Sequence, residues 1–204
     1  MKSKEKSPAN QLVELVVIVV VALGLALGIQ AFLVKPYRIP SESMEPTLDV
    51  GQRVLVNRIG THFSDPSVGD IVVFHPPKGA EAGGTGQCGA PQPQGAACDK
   101  PTSQEASVNF IKRVVGVAGD RISIRNGHVI RNGVPEKDGY ILPCSPGGEC
   151  DFPKTIVVPK GMFFMMGDNR GASDDSRFWG PVPKKWIIGG AFATYWPPKR
   201  IGFL

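Results

Sequence analysis

Two residues of this chain have the chemistry of a nucleophile and its base. Ser43 follows a long apolar run, in a segment bounded by Pro40 and Pro46 that is unsuited to a helix. A serine hydroxyl attacks only when a neighbouring base removes its proton, and Lys112 can be that base when its amine is neutral. Ser41 lies two residues before Ser43 and could donate a hydrogen bond to an oxyanion beside the Ser43 backbone N–H. Isolated serines in such a turn would simply cap it. Whether Ser41 and Ser43 have a catalytic role therefore depends on other segments of the chain.

Lys112 lies in the run 110–115, whose β-branched and apolar residues predict a strand. A free lysine titrates near ~10.4, so its amine must be kept from water to act as a base near neutral pH. In a strand, Phe110, Lys112 and Val114 share one face. This face would carry the amine into an apolar layer.

A third segment, residues 167–177, is dense in hydrogen-bonding groups and directly follows an apolar run at 162–166. We expect Ser173 to orient the lysine amine. We expect structural roles for the charged residues of this segment, and Asp175 and Arg177 are the supports that we predict for the loop. The charged residues are Asp168, Arg170, Asp174, Asp175 and Arg177.

The elements that must position these groups begin with an apolar run at residues 12–34, in which Glu14 and Gln30 are the only strongly polar residues. A helix of this length rises about 34 Å, enough to cross a hydrocarbon core of ~30 Å. A cleavable signal peptide is the alternative. The run is longer than its usual apolar region of ~7–15 residues, and the small-residue triplets lie inside the run instead of after it. We predict an uncleaved transmembrane anchor after a polar cytoplasmic tail at residues 1–11.

The four cysteines indicate the compartment. Cys88 and Cys98 are ten residues apart, and Cys144 and Cys150 are six apart, both in turn-rich sequence. Of the three possible pairings, these local ones close short loops. A structural zinc site is the competing interpretation, but its usual spacing of ~2–4 residues between cysteines is missing. We expect two disulfides, and hence an oxidising compartment for the chain beyond residue 34.

Charge is consistent with this placement. Lys2, Lys4 and Lys6 precede the apolar run and Lys35 and Arg38 follow it, so the positive-inside rule favours a cytoplasmic N-terminus by a small margin. The net charge of +5 has no basic stripe interleaved with aromatic residues, which argues against nucleic-acid binding. It fits a protein beside an anionic membrane surface. We predict a single-pass plasma-membrane protein whose catalytic domain lies outside the cytoplasm.

Beyond the anchor the chain is predicted to be mainly β, with short strands and a meander turned by Asn126-Gly127 and Asn132-Gly133. We assign a catalytic β core to residues 35–125 and 159–204, and a smaller inserted β subdomain to residues 126–158. Residues 76–107, rich in Gly, Pro, Gln and Ala, are predicted to form an exposed, mobile excursion held by a disulfide.

Together these segments resemble the bacterial type I signal peptidases, membrane-anchored serine/lysine peptidases that remove signal peptides. The resemblance is carried, in order, by residues 41–48 (SESMEPTL), 69–74 (GDIVVF), 110–120 (FIKRVVGVAGD), and 166–170 (MGDNR) with 173–180 (SDDSRFWG). With the anchor, these segments cover roughly half of the chain. The family's fold is a mainly antiparallel β structure with a catalytic core and an inserted second β unit, as predicted above.

The resemblance implies that Ser43 is the nucleophile, Lys112 the general base, Ser41 the oxyanion-hole hydroxyl and Ser173 the hydroxyl that orients the lysine. It implies substrates that are preproteins with small residues, often Ala-x-Ala, before the cut, bound as an extended strand. We assign Met44 and Leu48 to substrate contact. The partners are precursors and the lipid bilayer; no cofactor, metal or oligomer is expected.

Two features depart from the family pattern: the cysteine-rich excursion at 76–107, and Gly171-Ala172 where the family often has polar residues.

Three alternative functions stay open. One is a specialised relative that matures a single pilin or conjugation protein, and another is a self-cleaving repressor-type Ser/Lys protease, against which the anchor and cysteines argue. The last is an inactive, membrane-tethered β module that binds exported chains.

Overall fold

A computed structural model describes residues 8–82, 88–144 and 150–204 of the chain. Its first element is α1 (Pro8–Phe32), whose segment Asn10–Gly28 is long and apolar enough to cross a membrane. The helix begins four residues before the predicted anchor and ends two residues before its predicted end, because Val34 already belongs to a strand. Residues 1–7 of the predicted tail, with its three lysines, lie outside the described residues.

The rest of the described chain consists of strands, most of them short, and two short helices, joined by turns and loops. The helices are α2 (Gly60–Phe63) and α3 (Ser176–Trp179). The strands are β1 (Val34–Arg38), β2 (Arg53–Asn57), β3 (Ile71–Phe74), β4 (Phe110–Gly116), β5 (Arg121–Arg125), β6 (His128–Arg131), β7 (Val134–Pro135), β8 (Phe152–Val157), β9 (Met162–Met166), β10 (Val182–Pro183), β11 (Ile187–Trp196) and β12 (Gly202–Phe203).

Eight strands form one antiparallel sheet in the order β1-β2-β11-β3-β4-β9-β10, with β12 paired to β11. The ten-residue β11 connects the two halves of the sheet, because it pairs with β2 on one side and β3 on the other. β1 is an edge strand and contains Pro36, which cannot donate a ladder hydrogen bond and is tolerated at an edge. The predicted fold class, a mainly antiparallel β protein behind an N-terminal apolar helix, is confirmed.

A second, four-stranded sheet has the order β7-β6-β5-β8. Its two tight turns are those expected from the Asn-Gly pairs, because Asn126, Gly127, Asn132 and Gly133 all have positive φ. From its sequence, β5 was predicted to belong to the catalytic core, but the first Asn-Gly turn pairs β5 with β6. The small sheet therefore begins at Arg121, five residues before the boundary set from sequence. Residues 145–149 of the inserted subdomain lie outside the described chain.

β4 packs into all three apolar clusters of the molecule. Val115 belongs to the cluster under the small sheet, and Val114 to a cluster with Phe74 and other large side chains. Ile111 belongs to a third cluster, which includes Met44 and residues of β2 and β3. All three side chains are buried. Close packing on both faces fixes the direction of every side chain along β4, including that of Lys112.

The cysteines pair locally, Cys88 with Cys98 and Cys144 with Cys150, as predicted. The described part of the excursion, residues 76–82 and 88–107, is exposed in part, as predicted, but buried at other positions. Ala96 and Ala97 are buried in the cluster under the small sheet, and the Cys98 N–H donates to the Arg177 carbonyl at 2.9 Å. Alanine side chains are small enough to let this segment pack closely, which composition alone did not reveal.

Candidate active site

Ser43 lies in a single 3-10 turn, Glu42–Met44. The turn is entered from an extended Ser41 and left through an extended Glu45, whose N–H donates to the Glu42 carbonyl. Pro46 follows and has no N–H with which to continue a helix. Ser43 is only 6% exposed. The proline-bounded segment therefore folds into a short turn that presents one serine at the edge of the core.

Met44 and Leu48 are both fully buried in an apolar cluster with Ile39, Val54 and Val56. The Leu48 N–H donates to the Met44 carbonyl at 2.9 Å, which turns both side chains to the inside. Neither residue borders the cavity described below. The substrate contacts assigned to them from sequence are therefore replaced by a packing role: they hold the Ser43 turn on the core.

Lys112 is 4% exposed and lies opposite Val72 in the β3–β4 ladder. Its amine is 5.8 Å from the centroid of the Phe110 ring, on the face that the strand period predicted. Burial is the main cause that lowers the pKa of Lys112 to about 8, against the opposing effect of the carboxylates of Asp175 and Asp174. A substantial fraction of this lysine is therefore neutral at a mildly alkaline pH.

Ser43 and Lys112 border the same cavity, which has a volume of about 610 Å³. Ser41 also borders it, and the Oγ atoms of Ser41 and Ser43 are 3.3 Å apart. The walls come from the end of β1 and the residues after it (37–40), the approach to β4 (108–111), and Ala172 with Asp174. The structure thus brings together, at one cavity, three of the four residues to which the sequence assigned chemistry.

The fourth residue, Ser173, is buried and packs against Gly167. A Cβ added at Gly167 would lie 2.3 Å from the Ser173 Oγ and 2.4 Å from the Ser43 carbonyl oxygen, so only glycine fits there. The Asn169 N–H donates to that same Ser43 carbonyl at 3.1 Å. The loop that carries Ser173 is in this way joined directly to the turn that carries Ser43.

Asp175 and Arg177 form a fully buried ion pair below Ser173, with Nε and Oδ1 2.7 Å apart. Burial alone would raise the pKa of the Asp175 carboxyl. The positive charge of Arg177 and the hydrogen bond that Arg177 donates outweigh this effect, so that the pKa of Asp175 lies below its usual value. Asp175 also accepts from the Gly167 N–H at 3.1 Å, and Arg177 donates to the Ser173 carbonyl at 3.0 Å. The role of this pair as a support of the loop stays a prediction, and these contacts are the ones that such a role requires.

A second buried carboxylate, Asp168, was predicted only as a structural charge, and its partners were missed. It accepts two hydrogen bonds from Arg113, at 2.8 and 2.6 Å, and one from the Thr47 hydroxyl at 2.5 Å. Because residues alternate along β4, Arg113 points away from the Lys112 face. That alternation is the sequence signal that could have identified Arg113 as a link between the loop and the strand.

Within the described ranges, no group of three or more His, Cys, Asp or Glu side chains is placed to hold a metal ion. All four cysteines are in disulfides, which removes the zinc site considered from sequence.

Comparison with known proteins places this chain in a family. The family model described as signal peptidase, peptidase S26, matches residues 12–196. The chain belongs to this family of signal peptidases. Signal peptidase I from Leptolyngbya laminosa is 41% identical over 180 residues, covering 88% of this chain and 77% of that protein. Probable signal peptidase I-1 from Synechocystis sp. is 37% identical, covering 97% and 89% respectively.

A solved structure of a signal peptidase I from Enterococcus faecalis is 23% identical and covers 62% of this chain and 97% of that chain, with a TM-score of 0.37. Family membership and the apolar helix α1 together indicate a membrane-anchored signal peptidase.

Proposed function

We propose that this signal peptidase is a membrane-bound serine endopeptidase in which Ser43 is the nucleophile and Lys112 the general base. The observation that carries the proposal is the shared cavity, which the Ser43 turn and a desolvated lysine both border. Desolvation supplies the neutral amine that a Ser/Lys mechanism needs. Family membership supplies the class of substrate, a precursor with an N-terminal signal peptide.

In the acylation step, the neutral Lys112 amine takes the Ser43 proton while the Ser43 oxygen bonds to the scissile carbonyl carbon. The resulting oxyanion accepts hydrogen bonds from the Ser41 hydroxyl and the Ser43 N–H. The C–N bond then breaks, and the leaving amine receives a proton from the Lys112 ammonium. This step leaves an acyl-enzyme on Ser43 and a neutral lysine.

In the deacylation step, Lys112 removes a proton from a water molecule, and the hydroxide attacks the ester carbonyl. Collapse of the second tetrahedral intermediate breaks the bond to Ser43, which regains its proton from Lys112. Throughout both steps Ser173 holds the amine in line with Ser43. The Asp175–Arg177 ion pair holds the backbone on either side of Ser173.

Precursors with small residues before the cut, of the Ala-x-Ala type, are the substrates that we propose. The cavity is bordered by two extended stretches, residues 37–40 and 108–112, beside which a precursor could lie as an added strand. We place the N-terminus in the cytoplasm, α1 across the plasma membrane and the cavity on the outer side. There a translocated precursor is still tethered to the bilayer.

The test is cleavage of an Ala-x-Ala precursor by the full chain in detergent micelles, with Ser43→Ala and Lys112→Ala. Each variant should lose activity by a factor of about 10⁴ or more, because each removes a group that the reaction cannot replace. Circular dichroism should be unchanged. Matched controls are Ser67→Ala, in the exposed loop before β3, and Lys154→Ala, on the exposed side of β8.

Both controls should cleave as the unmodified enzyme does. Cleavage at the normal rate by either the Ser43 or the Lys112 variant would refute the dyad. Cleavage of one precursor only, out of a panel of unrelated ones, would indicate a specialised peptidase instead of a general one.

A further inference from the structure

The neighbours Asp174 and Asp175 have opposite surroundings. Asp175 accepts hydrogen bonds from Arg177 and from the Gly167 N–H. Both carboxylate oxygens of Asp174 are also shielded from solvent, yet neither has a hydrogen-bond partner in the part of the chain that the structure describes. Asp174 was expected from sequence to be a structural charge in an ion-pair cluster. A desolvated carboxylate with no donor is costly unless a cation lies close by.

The charges of two cations, Lys112 and Arg177, act on Asp174, and Arg177 is already engaged elsewhere. Arg177 donates through Nε and Nη2 to Asp175 and through Nη2 to the carbonyls of Arg170 and Ser173. Lys112 is the other cation, and it borders the cavity that Asp174 also borders. The charged groups that act on the amine are Asp175, Asp174, Arg177 and Asp168. Asp175 and Asp168 each form an ion pair with an arginine. Asp174 is therefore the one of these three carboxylates whose charge is not neutralised by an arginine and can act fully on Lys112.

We propose that Asp174 is a positioning residue of this signal peptidase: its carboxylate keeps the Lys112 amine protonated in the resting site and so sets the pH range in which the base is available. The proposal rests on Lys112 being the base of the proposed function. It assigns to a residue of the cavity wall a role that opposes catalysis at low pH.

The titration behaviour of the two groups supports this geometry. Burial, helped by the negative charge of Asp175, raises the pKa of Asp174 to about 6 against the opposing charges of Lys112 and Arg177, while burial lowers the pKa of Lys112 to about 8. Between these values the resting site holds a negative Asp174 and a positive Lys112. Because the Asp174 charge raises the pKa of Lys112, its removal must lower that pKa, and the neutral amine then becomes available at a lower pH.

The experiment compares Asp174→Asn with the unmodified full chain in detergent micelles, measuring kcat/KM for an Ala-x-Ala precursor from about pH 5.5 to 10. With each profile normalised to its own alkaline plateau, the acidic limb should move to lower pH by about half a unit to one unit. The normalised rate at pH 6.5 should then rise about threefold to tenfold. Asp174→Glu, which keeps the charge, should restore the original limb. Asp65→Asn, a change at an exposed carboxylate paired with Lys184, should leave the limb in place.

A second readout does not depend on catalysis. In a spectrum of carbon-13-labelled lysine, the Lys112 signal can be assigned by its loss in Lys112→Ala. In the unmodified protein the chemical shift of the Lys112 signal should change in two steps, because the two groups are coupled. One step should occur at the pH where Asp174 titrates, and the other at the pH where Lys112 itself titrates. In Asp174→Asn the lower step should vanish and the main step should move to lower pH. If the Asn variant does not fold, the two steps in the unmodified protein decide the proposal.

The proposal would be overturned if, in Asp174→Asn, the acidic limb of the kcat/KM profile or the titration of Lys112 stays in place or moves to higher pH. So would a single-step titration of Lys112 in the unmodified protein. If the chain cleaves no precursor, or Ser43→Ala still cleaves, the proposed function fails while the lysine titration still tests Asp174. The two failures are therefore separable.

Discussion

The loop from Gly167 to Gly180 has two sides, and they differ in how far their polar groups are hydrogen-bonded. On the inner side, Asp168 accepts from Arg113 and Thr47, and Asp175 accepts from Arg177 and from a backbone N–H. On the cavity side, Ala172 and Asp174 border the cavity, and Ser173 lies between them in sequence without bordering it. Both Asp174 oxygens and the Ser173 Oγ make no hydrogen bond of normal geometry within the described residues. Among the described residues, the same short segment thus contains two carboxylates with several donors each and a third carboxylate with none.

The difference separates two tasks of the loop. Buried charges that are fully paired have one favourable arrangement, so they fix the backbone on either side of Ser173. Groups left unpaired at a cavity cost stability, but they are free to act on an amine, an alcohol or an oxyanion. Substitutions on the inner side should therefore lower stability first, and substitutions on the cavity side should change activity first.

The largest effect on folding is expected from Asp175→Ala. The change leaves Arg177, which is 1% exposed, as a buried charge without its carboxylate. It also removes the acceptor of the Gly167 N–H and the capping group of α3. We expect the free energy of unfolding to fall by about 3–5 kcal/mol. Urea unfolding in detergent, followed by tryptophan fluorescence, measures this change.

Asp65→Ala is the matched control for that substitution. Asp65 is paired with Lys184, but its side chain is 68% exposed. An exposed pair of this kind contributes at most about 1 kcal/mol, so the loss should be several times smaller. Equal losses in the two variants would show that the buried network is no more important to stability than a surface ion pair.

Much of the fold could be predicted because it is encoded locally. The β-branched runs and the two Asn-Gly turns specify β4, β5 and β6 without knowledge of their partners. The third strand of the predicted meander is the two-residue β7, and the strands that were missed are β10 and β12, which also have two residues each, and β1, whose proline argues against a strand. They are strands because a neighbour pairs with them, and no local pattern carries that information.

The site divides in the same way. Ser43 and Lys112 could be singled out because a reactive hydroxyl and a desolvated amine each need a recognisable local sequence. The burial of Met44 and Leu48 could not be predicted, because the direction of side chains after an irregular turn does not follow a simple period. The packing of residues 88–107 against the segment around Arg177 depends on contacts distant in sequence. The isolation of Asp174 appears only once every donor around it has been assigned.

On the cavity side, Ser41→Ala tests the proposed oxyanion donor. The Ser41 hydroxyl is 3.3 Å from the Ser43 Oγ and its residue is exposed, so its loss should not affect folding. Loss of one oxyanion donor typically lowers kcat by about 10²–10³. We expect that decrease with little change in KM, measured on an Ala-x-Ala precursor. A change in KM alone would mean that Ser41 binds the ground state and not the transition state.

The smallest and sharpest comparison removes one hydroxyl from each side of the loop. Thr47→Val deletes the donor to the buried Asp168 and should lower the free energy of unfolding by about 1.5–3 kcal/mol, as for hydrogen bonds to charged groups. Ser173→Ala deletes a hydroxyl that makes no hydrogen bond of normal geometry within the described residues, although its weaker contact helps to lower the pKa of Asp175, and should lower the free energy of unfolding by less than about 1 kcal/mol.

Activity should rank these two variants in the opposite order. Ser173→Ala removes the hydroxyl that is proposed to orient Lys112, so it should lower kcat about tenfold to a hundredfold, whereas Thr47→Val should leave kcat within about threefold. Both quantities can be measured on the same preparations, by urea unfolding and by precursor cleavage. If Ser173→Ala is the less stable variant and the more active one, the inner and cavity sides of this loop do not divide stability from catalysis.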